Sequence, residues 1–336
     1  MMENAIETFS LTKKFKELKA VDEISLSVKK GELFGFLGPN GAGKSTTIRM
    51  LCTLLTPTSG SAKVAGFDIV REPEKVREHI GLVSEKMIMY DRLTAYENLR
   101  LFGKLYGLEP SRLNDKIDEL LALVNMEKWR DTQIGKFSTG MKQRINVIRA
   151  LLHEPDIVFL DEPTLGLDPH ATKEVREFVQ KLNTRGTTVV ITTHIMYEAD
   201  MLCHRIGIID KGKIVALDTS KNLKKMISGE DVSIFEIELK DRKEEIINEL
   251  KSTKGISSVI TSLENPNVIK VHANGENSFD IIIDAIRKQK GKIVTMKDLE
   301  PTLEDVFIKL TGRELRDSVS DKVKAHRPHQ APKRIR

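Results

Sequence analysis

Gly38-Pro39-Asn40-Gly41-Ala42-Gly43-Lys44-Ser45-Thr46 follows the unbroken apolar run Leu33-Phe34-Gly35-Phe36-Leu37. A run without polar alternation is what a strand buried on both faces requires, as in a parallel sheet. From Lys44 to Leu55 the sequence reads as a helix, with Pro57 beyond it as a stop. The segment therefore joins a strand to a helix and fits G-x-x-x-x-G-K-[ST] in the context that gives that spacing meaning. Its glycines let backbone N–H groups converge on an anion, and the helix N-terminus adds a favourable field. Lys44 is placed to bridge the β- and γ-phosphates of a nucleotide, and the Ser45 hydroxyl to ligate Mg²⁺. The alternative, a glycine-rich turn that binds nothing, is weakened by the strand before it and the helix after it.

Three more segments aim at the same chemistry. Ile157-Val158-Phe159-Leu160 is a second apolar strand, ending in Asp161-Glu162-Pro163-Thr164. Asp161 is placed to hold the magnesium shell, and Glu162 to orient and deprotonate an attacking water. Adjacent acids at a strand end are common, and the functional reading sets this strand next to the one that carries the phosphate loop. His194 ends a third apolar stretch, Val189-Val190-Ile191-Thr192-Thr193. Alone it would read as a structural histidine; with the other groups at the same sheet edge it reads as a γ-phosphate contact. Between loop and acids lies Phe137-Ser138-Thr139-Gly140-Met141-Lys142-Gln143-Arg144. Ser138 can cap the helix that follows. That helix start can also be an anion site serving the nucleotide of a second copy.

Composition narrows the class. At 336 residues, with 40% hydrophobic and 31% charged, the chain has the make-up of one or two ordinary globular domains. No apolar run reaches the roughly 18–20 residues of a membrane span. The first residues, Met1-Met2-Glu3-Asn4-Ala5-Ile6-Glu7, lack the basic and apolar regions of a secretion signal. A membrane role is thus expected to run through a separate partner chain. Cys52 and Cys203 have no Cys-x-x-Cys companion and read as buried thiols in a reducing compartment, and the eight histidines show no zinc spacing. The net charge of +5 lies in the last 24 residues, where eight Lys/Arg face three acids; before Arg313 there are 46 of each. A neutral body does not fit nucleic-acid binding, and the basic tail reads as disordered.

Residues 5–30 alternate in the manner of antiparallel strands, and 95–150 carry helical periodicity broken at Gly107-Leu108-Glu109-Pro110. Apolar strands at 157–160, 188–192 and 205–209, with a helix at about 172–184, imply a parallel sheet flanked by helices. After Ser228-Gly229-Glu230-Asp231 the pattern changes to strand (232–239), helix (242–250), strand (257–262), strand (268–272), helix (278–289) and strand (292–296). That order is β-α-β-β-α-β, ferredoxin-like, and a last helix follows at 302–310.

The order of phosphate loop, serine-glycine signature, Asp-Glu-Pro-Thr, Gly166-Leu167-Asp168 and Thr193-His194 resembles the nucleotide-binding subunit of an ATP-binding-cassette (ABC) transporter over roughly residues 4–220. Leu299-Glu300-Pro301-Thr302-Leu303-Glu304-Asp305-Val306-Phe307-Ile308-Lys309-Leu310-Thr311-Gly312 is similar to the C-terminal extension of daunorubicin-resistance-type ATPases, which serve exporters with a separate membrane subunit. The resemblance implies an α/β phosphate-loop NTPase fold with a RecA-like core and antiparallel and helical subdomains over 4–225. It further implies a small α+β domain over 230–312, leaving 313–336 as a tail. It implies ATP hydrolysis with Mg²⁺ by a homodimer on the cytoplasmic face of the membrane, driving export of a drug-like or other hydrophobic substrate. By position, Phe15 would stack on adenine, and Gly38, Pro39, Asn40, Gly41, Ala42, Gly43, Lys44, Ser45 and Thr46 would cradle the phosphates. Ser138, Gly140 and Asp168 would meet the opposite copy's nucleotide. Glu85 stands where the family usually has a glutamine, and its carboxylate is expected to join Ser45 and Asp161 as a Mg²⁺ ligand; Phe-Ser-Thr-Gly-Met replaces Leu-Ser-Gly-Gly-Gln in the signature. The competing reading is a soluble ABC-type ATPase of translation or nucleic-acid metabolism. Such proteins carry two cassettes or a long coiled-coil insertion, and this chain shows neither.

Overall fold

The computed structural model describes residues 3–84, 86–226, 232–261, 265–275 and 277–312. Glu85 and the basic tail fall outside these residues. The chain divides into two compact units, with the division between Thr219 and Ser220.

The first unit opens with a long hairpin, β1 (Asn4–Phe15) and β2 (Leu18–Lys29), followed by β3 (Leu33–Leu37) and α1 (Lys44–Leu51). Next come β4 (Ser59–Val64), β5 (Phe67–Asp68), α2 (Pro73–Glu78) and β6 (Ile80–Val83). A helical stretch follows: α3 (Ala95–Leu105), α4 (Pro110–Leu123) and α5 (Thr139–Arg149). The remainder alternates: β7 (Ile157–Asp161), α6 (Pro169–Thr184), β8 (Thr188–Thr193), α7 (Met196–Leu202), β9 (Arg205–Asp210) and β10 (Lys213–Asp218).

These strands make two sheets. The antiparallel one has the order β2-β1-β4-β5, and the larger one β10-β9-β3-β8-β7-β6. In the larger sheet β9, β3, β8, β7 and β6 are parallel and only β10 is antiparallel. Every residue of β3, β7 and β8 is buried, which is why 33–37, 157–160 and 189–191 read as apolar without polar alternation. Ile6, Leu11 and Ile24 of the antiparallel sheet share one core with Phe34, Phe36, Ile48 and Met50, so α1 is packed between the two sheets.

Two expectations need correction. The strand bearing Asp161 and Glu162 does not neighbour the phosphate-loop strand, because β8 lies between β3 and β7. The helix read as 44–55 ends at Leu51. Thr53 takes a left-handed φ of 61°, while Thr53 N bonds Met50 O at 3.0 Å and Leu54 N bonds Arg49 O at 2.8 Å. This is the paired closure of a Schellman ending. A β-branched threonine is an unusual residue for that conformation, so Pro57 was the only visible stop.

The second unit begins with α8 (Ser220–Lys225) and continues as β11 (Val232–Leu239), α9 (Glu244–Ser252), β12 (Ile256–Thr261), β13 (Val268–Asn274), α10 (Ser278–Lys288), β14 (Ile293–Leu299) and α11 (Leu303–Thr311). Its sheet has the order β12-β13-β11-β14 with every pair antiparallel, the ferredoxin-like arrangement the element order implied. One face buries Ile237, Leu239, Ile269 and Val271 against Ile246, Leu250 and Ile282 of the helices. On β13, Lys270 and His272 alternate with these core residues, and Asp305 of α11 reaches them. Asp305 is buried and closes a capping box with Thr302.

Candidate nucleotide-binding and hydrolysis site

The C-terminal ends of the parallel strands converge on one edge of the large sheet, and backbone crowding decides which residues the loop after β3 can hold. Gly43 is the N-cap of α1 at φ 109°, and a Cβ there would lie 2.5 Å from Ala20 O. At Gly38 a Cβ would stand 2.2 Å from Ile209 O. The α1 N-terminus has no side-chain cap, so its first N–H groups keep an unmet demand for an acceptor. Ala42 O accepts from Gly212 N at 2.9 Å, pinning the loop to the β9–β10 turn. Gly41 and Asn40 are exposed and Thr46 is half-buried.

Lys44 is buried and donates from Nζ to Gly38 O at 2.7 Å and to Pro39 O at 3.2 Å. The same Nζ lies 3.1 Å from Glu162 Oε1, and His194 Nδ1 lies 2.9 Å from Glu162 Oε2. Lys44, Glu162 and His194, far apart in sequence, therefore form one contact chain. Glu162 Oε1 faces Lys44 as an ion pair but has no aligned hydrogen-bond partner among the described residues. Burial pushes the Glu162 carboxyl up, yet the His194 hydrogen bond and Lys44 outweigh it and hold the group below the ordinary carboxylate value. The residue sits at φ 49°, a strained conformation for a non-glycine.

Ser45 Oγ donates to Asp161 Oδ1 at 2.9 Å, placing a hydroxyl and a carboxylate side by side. Two hard oxygen donors next to a phosphate loop suit Mg²⁺, so the residues fit that ion. Thr192, which the sequence reading passed over, completes the arrangement from β8. Its hydroxyl donates to Asp161 Oδ1 at 2.6 Å and accepts from Glu162 N at 2.9 Å, while its carbonyl accepts from the same N–H at 3.2 Å. The intervening strand thus supplies the group that joins the two acids. Nothing in the run Val189–Thr193 marks Thr192 until the sheet order is known.

The other expected residues lie apart from this cluster. Ser138 caps α5, accepting from Met141 N at 3.3 Å, and Asp168 caps α6, accepting from His170 N and Ala171 N at 2.9 Å. These backbone donors, Ala171 N first, hold the exposed Asp168 carboxyl below its usual range. A Cβ on Gly140 would come 2.9 Å from Ala171 Cβ, so the starts of α5 and α6 pack closely. None of the contacts of the described residues joins these groups to Lys44. Phe15 ends β1, 45% exposed with Lys13 Nζ 5.3 Å from its ring centre, and it too has no described contact with the phosphate loop. Gln143 on α5 was not singled out from sequence, yet it is buried and donates to Pro163 O at 2.8 Å, beside Glu162.

A glycine-bound helix start, a buried lysine, an acid–hydroxyl pair and a strained carboxylate on one parallel-sheet edge define a phosphate-loop nucleotide hydrolase. Residues 21–165 match the ABC transporter family, and residues 219–311 match the family described as ATP-binding protein DrrA1-3-like, C-terminal domain. Linearmycin resistance ATP-binding protein LnrL of Bacillus subtilis (strain 168) is 36% identical over 93% of this chain and 100% of its own length. Daunorubicin resistance ATP-binding protein DrrA2 of Streptomyces coeruleorubidus is 35% identical over 92% of this chain and 95% of its own. Among solved structures, an ATP-binding cassette in a dimeric post-hydrolysis state bound to ADP and Pi superposes with a TM-score of 0.58 at 27% identity, covering 64% of this chain and 98% of that one. The chain belongs to the ATP-binding subunits of ABC transporters and is an ATPase of that class. These relatives favour the transporter reading over a soluble ATPase of translation or nucleic-acid metabolism.

Proposed function

We propose that two copies of this chain bind two ATP between them and power a separate membrane subunit that exports a drug-like or other hydrophobic compound. The site division carries this reading. Lys44, Ser45, Asp161, Glu162 and His194 form one cluster, while Ser138, Gly140 and Asp168 stand on the paired starts of α5 and α6 without contact to it. A second copy, facing the first head to tail, supplies its α5 start to the nucleotide of its partner. Export is supported by the drug-resistance names of the full-length relatives, and dimerisation by the dimeric cassette. Among the described residues no helix is long and apolar enough to cross a membrane, and attachment through a partner at the cytoplasmic face accords with that.

In this reading Lys44 leaves the Gly38 and Pro39 carbonyls for the β- and γ-phosphates. The N–H groups of Gly41 to Thr46 hold the remaining oxygens, and Phe15 stacks on adenine. Mg²⁺, when bound, supplies charge neutralisation at the phosphates, with Ser45 and Asp161 as its protein ligands. Glu162 takes the proton of the attacking water, its carboxylate held in place between His194 and Lys44. His194 fixes the Glu162 carboxylate from the other side and contacts the γ-phosphate. Glu85, proposed as a further magnesium ligand from its sequence position, lies outside the described residues.

The test is Glu162→Gln in the full chain. Turnover is expected to fall by about 10²–10⁴, the usual contribution of a positioned base, and gel filtration with ATP should show a dimer. A variant that stays monomeric with ATP and hydrolyses at the wild-type rate refutes the scheme.

A further inference from the structure

One buried carboxylate near the site has no part in that scheme. Glu198, in the first turn of α7, is 1% exposed. Its Oε2 accepts from Thr164 Oγ1 at 2.8 Å and from Thr193 Oγ1 at 3.4 Å. Its Oε1 lies 3.8 Å from Arg176 Nε on α6 and has no hydrogen-bond partner among the described residues. Burying a charge this incompletely satisfied is costly, and an apolar side chain would fill the same space without the penalty. Core stability is therefore a poor reason for a glutamate here.

The two hydroxyls it holds explain it better. Thr164 lies in the turn that begins at Glu162 and closes with Leu165 N bonding Glu162 O at 3.2 Å. Thr193 immediately precedes His194, and its hydroxyl also accepts from Ile195 N at 2.9 Å, bending the chain into α7. One carboxylate oxygen thus ties together the two segments that carry Glu162 and His194. The Glu162 turn is strained and persists only while its surroundings hold it. Thr192 restrains its start, Gln143 its Pro163 carbonyl, and Glu198 its Thr164 side chain.

The geometry points to Glu198 as a positioning residue for ATP hydrolysis, fixing the distance between the Glu162 carboxylate and His194 by clamping Thr164 to Thr193. The inference rests on the reading of Glu162 as base and His194 as its orienting partner. Glu198 has no described contact with the phosphate loop, so its removal should act on kcat and leave ATP affinity nearly unchanged. A displacement of about 1 Å at a reacting group costs on the order of 10²-fold.

The experiment measures phosphate release and ATP affinity for Glu198→Ala, Glu198→Gln and Thr164→Val, each also in a His194→Ala background. Glu198→Ala and Thr164→Val should lower kcat about 10–100-fold and shift ATP affinity less than about threefold. Glu198→Gln keeps an oxygen for both hydroxyls and should recover most of the rate. Once His194 is absent, the clamp has no distance left to set, and each substitution should cost less than about threefold more. A full 10–100-fold loss persisting in the His194→Ala background overturns the proposal, as does a fall in affinity without a fall in kcat. If Glu198→Ala does not fold, Thr164→Val carries the same comparison. Glu162→Gln, assayed alongside, separates the two claims. Full turnover there defeats the base assignment, whereas its loss together with a normal Glu198→Ala rate defeats only the clamp.

Discussion

Thr192→Val removes one hydroxyl and changes almost nothing in shape, which makes it the sharpest probe of how the two acids are held. Thr192 is fully buried, and its hydroxyl makes one hydrogen bond to the Asp161 carboxylate at 2.6 Å and one from Glu162 N at 2.9 Å. A hydrogen bond to a charged group contributes about 1.5–3 kcal/mol and a neutral one about 0.5–1.5 kcal/mol. Glu162 N keeps the Thr192 carbonyl at 3.2 Å, and the added methyl gains some apolar burial. The net loss should be about 2–3 kcal/mol. For a unit of this size that corresponds to a fall of about 5–10 °C in Tm. Turnover should fall about tenfold, because the base and the magnesium ligand both lose part of their alignment. Scanning calorimetry and phosphate release measure the two effects, and Thr192→Ser, which restores the hydroxyl, should return most of both. A Thr192→Val protein that melts within about 2 °C of wild type and hydrolyses ATP normally would show that the bridge from β8 contributes nothing.

Two further outcomes are expected. The Glu162 carboxyl is pushed up by burial and pulled further down by His194 and Lys44, so its ionised form stabilises the fold fully above the ordinary value of 4.5, and that contribution is lost as pH falls. His194→Ala removes the largest stabilising partner, so the acid limb of the rate profile should move to higher pH; an unmoved limb with intact turnover contradicts the contact. In the second unit, burial raises the Asp305 carboxyl but His272, Thr302 and Lys270 together hold it well below 3.8. Asp305→Ala removes the acceptor of the partly exposed Lys270 and the carboxylate of the Thr302 capping box, and should cost about 1.5–3 kcal/mol. Amide exchange over α11 reads the loss, which should be greatest above pH 3.8 and shrink below it. Unchanged protection of residues 303–311 counts against the buried pair.

The parts of the fold that were legible are those where burial is uniform. β3, β7 and β8 are enclosed on both faces, and their apolar centres, 33–37, 157–160 and 189–191, say so by the lack of polar alternation. The second unit was legible because its strands and helices bury only one face each, which leaves alternation and helical periodicity on the page. Short elements with weak patterns, such as β5, α2 and β6, were not read, nor was the closure of α1 by a left-handed Thr53. Of the site, Gly38 to Thr46, Asp161, Glu162 and His194 stood out because each ends or follows an apolar strand. Thr192, Gln143 and Glu198 did not, since a buried threonine, glutamine or glutamate looks the same in sequence whether or not it holds a neighbour.

The sequence alone determined the chemistry available: a lysine and hydroxyl after one strand, two acids after another, a histidine after a third, in an order shared with the ABC transporter subunits. Spacing along the chain can specify these because a phosphate loop is a local structure, built from consecutive backbone groups. Only the tertiary structure decided which groups touch. Strand order placed β8 between β3 and β7, and that choice, set by packing across the whole sheet, gave Thr192 and Glu198 their partners.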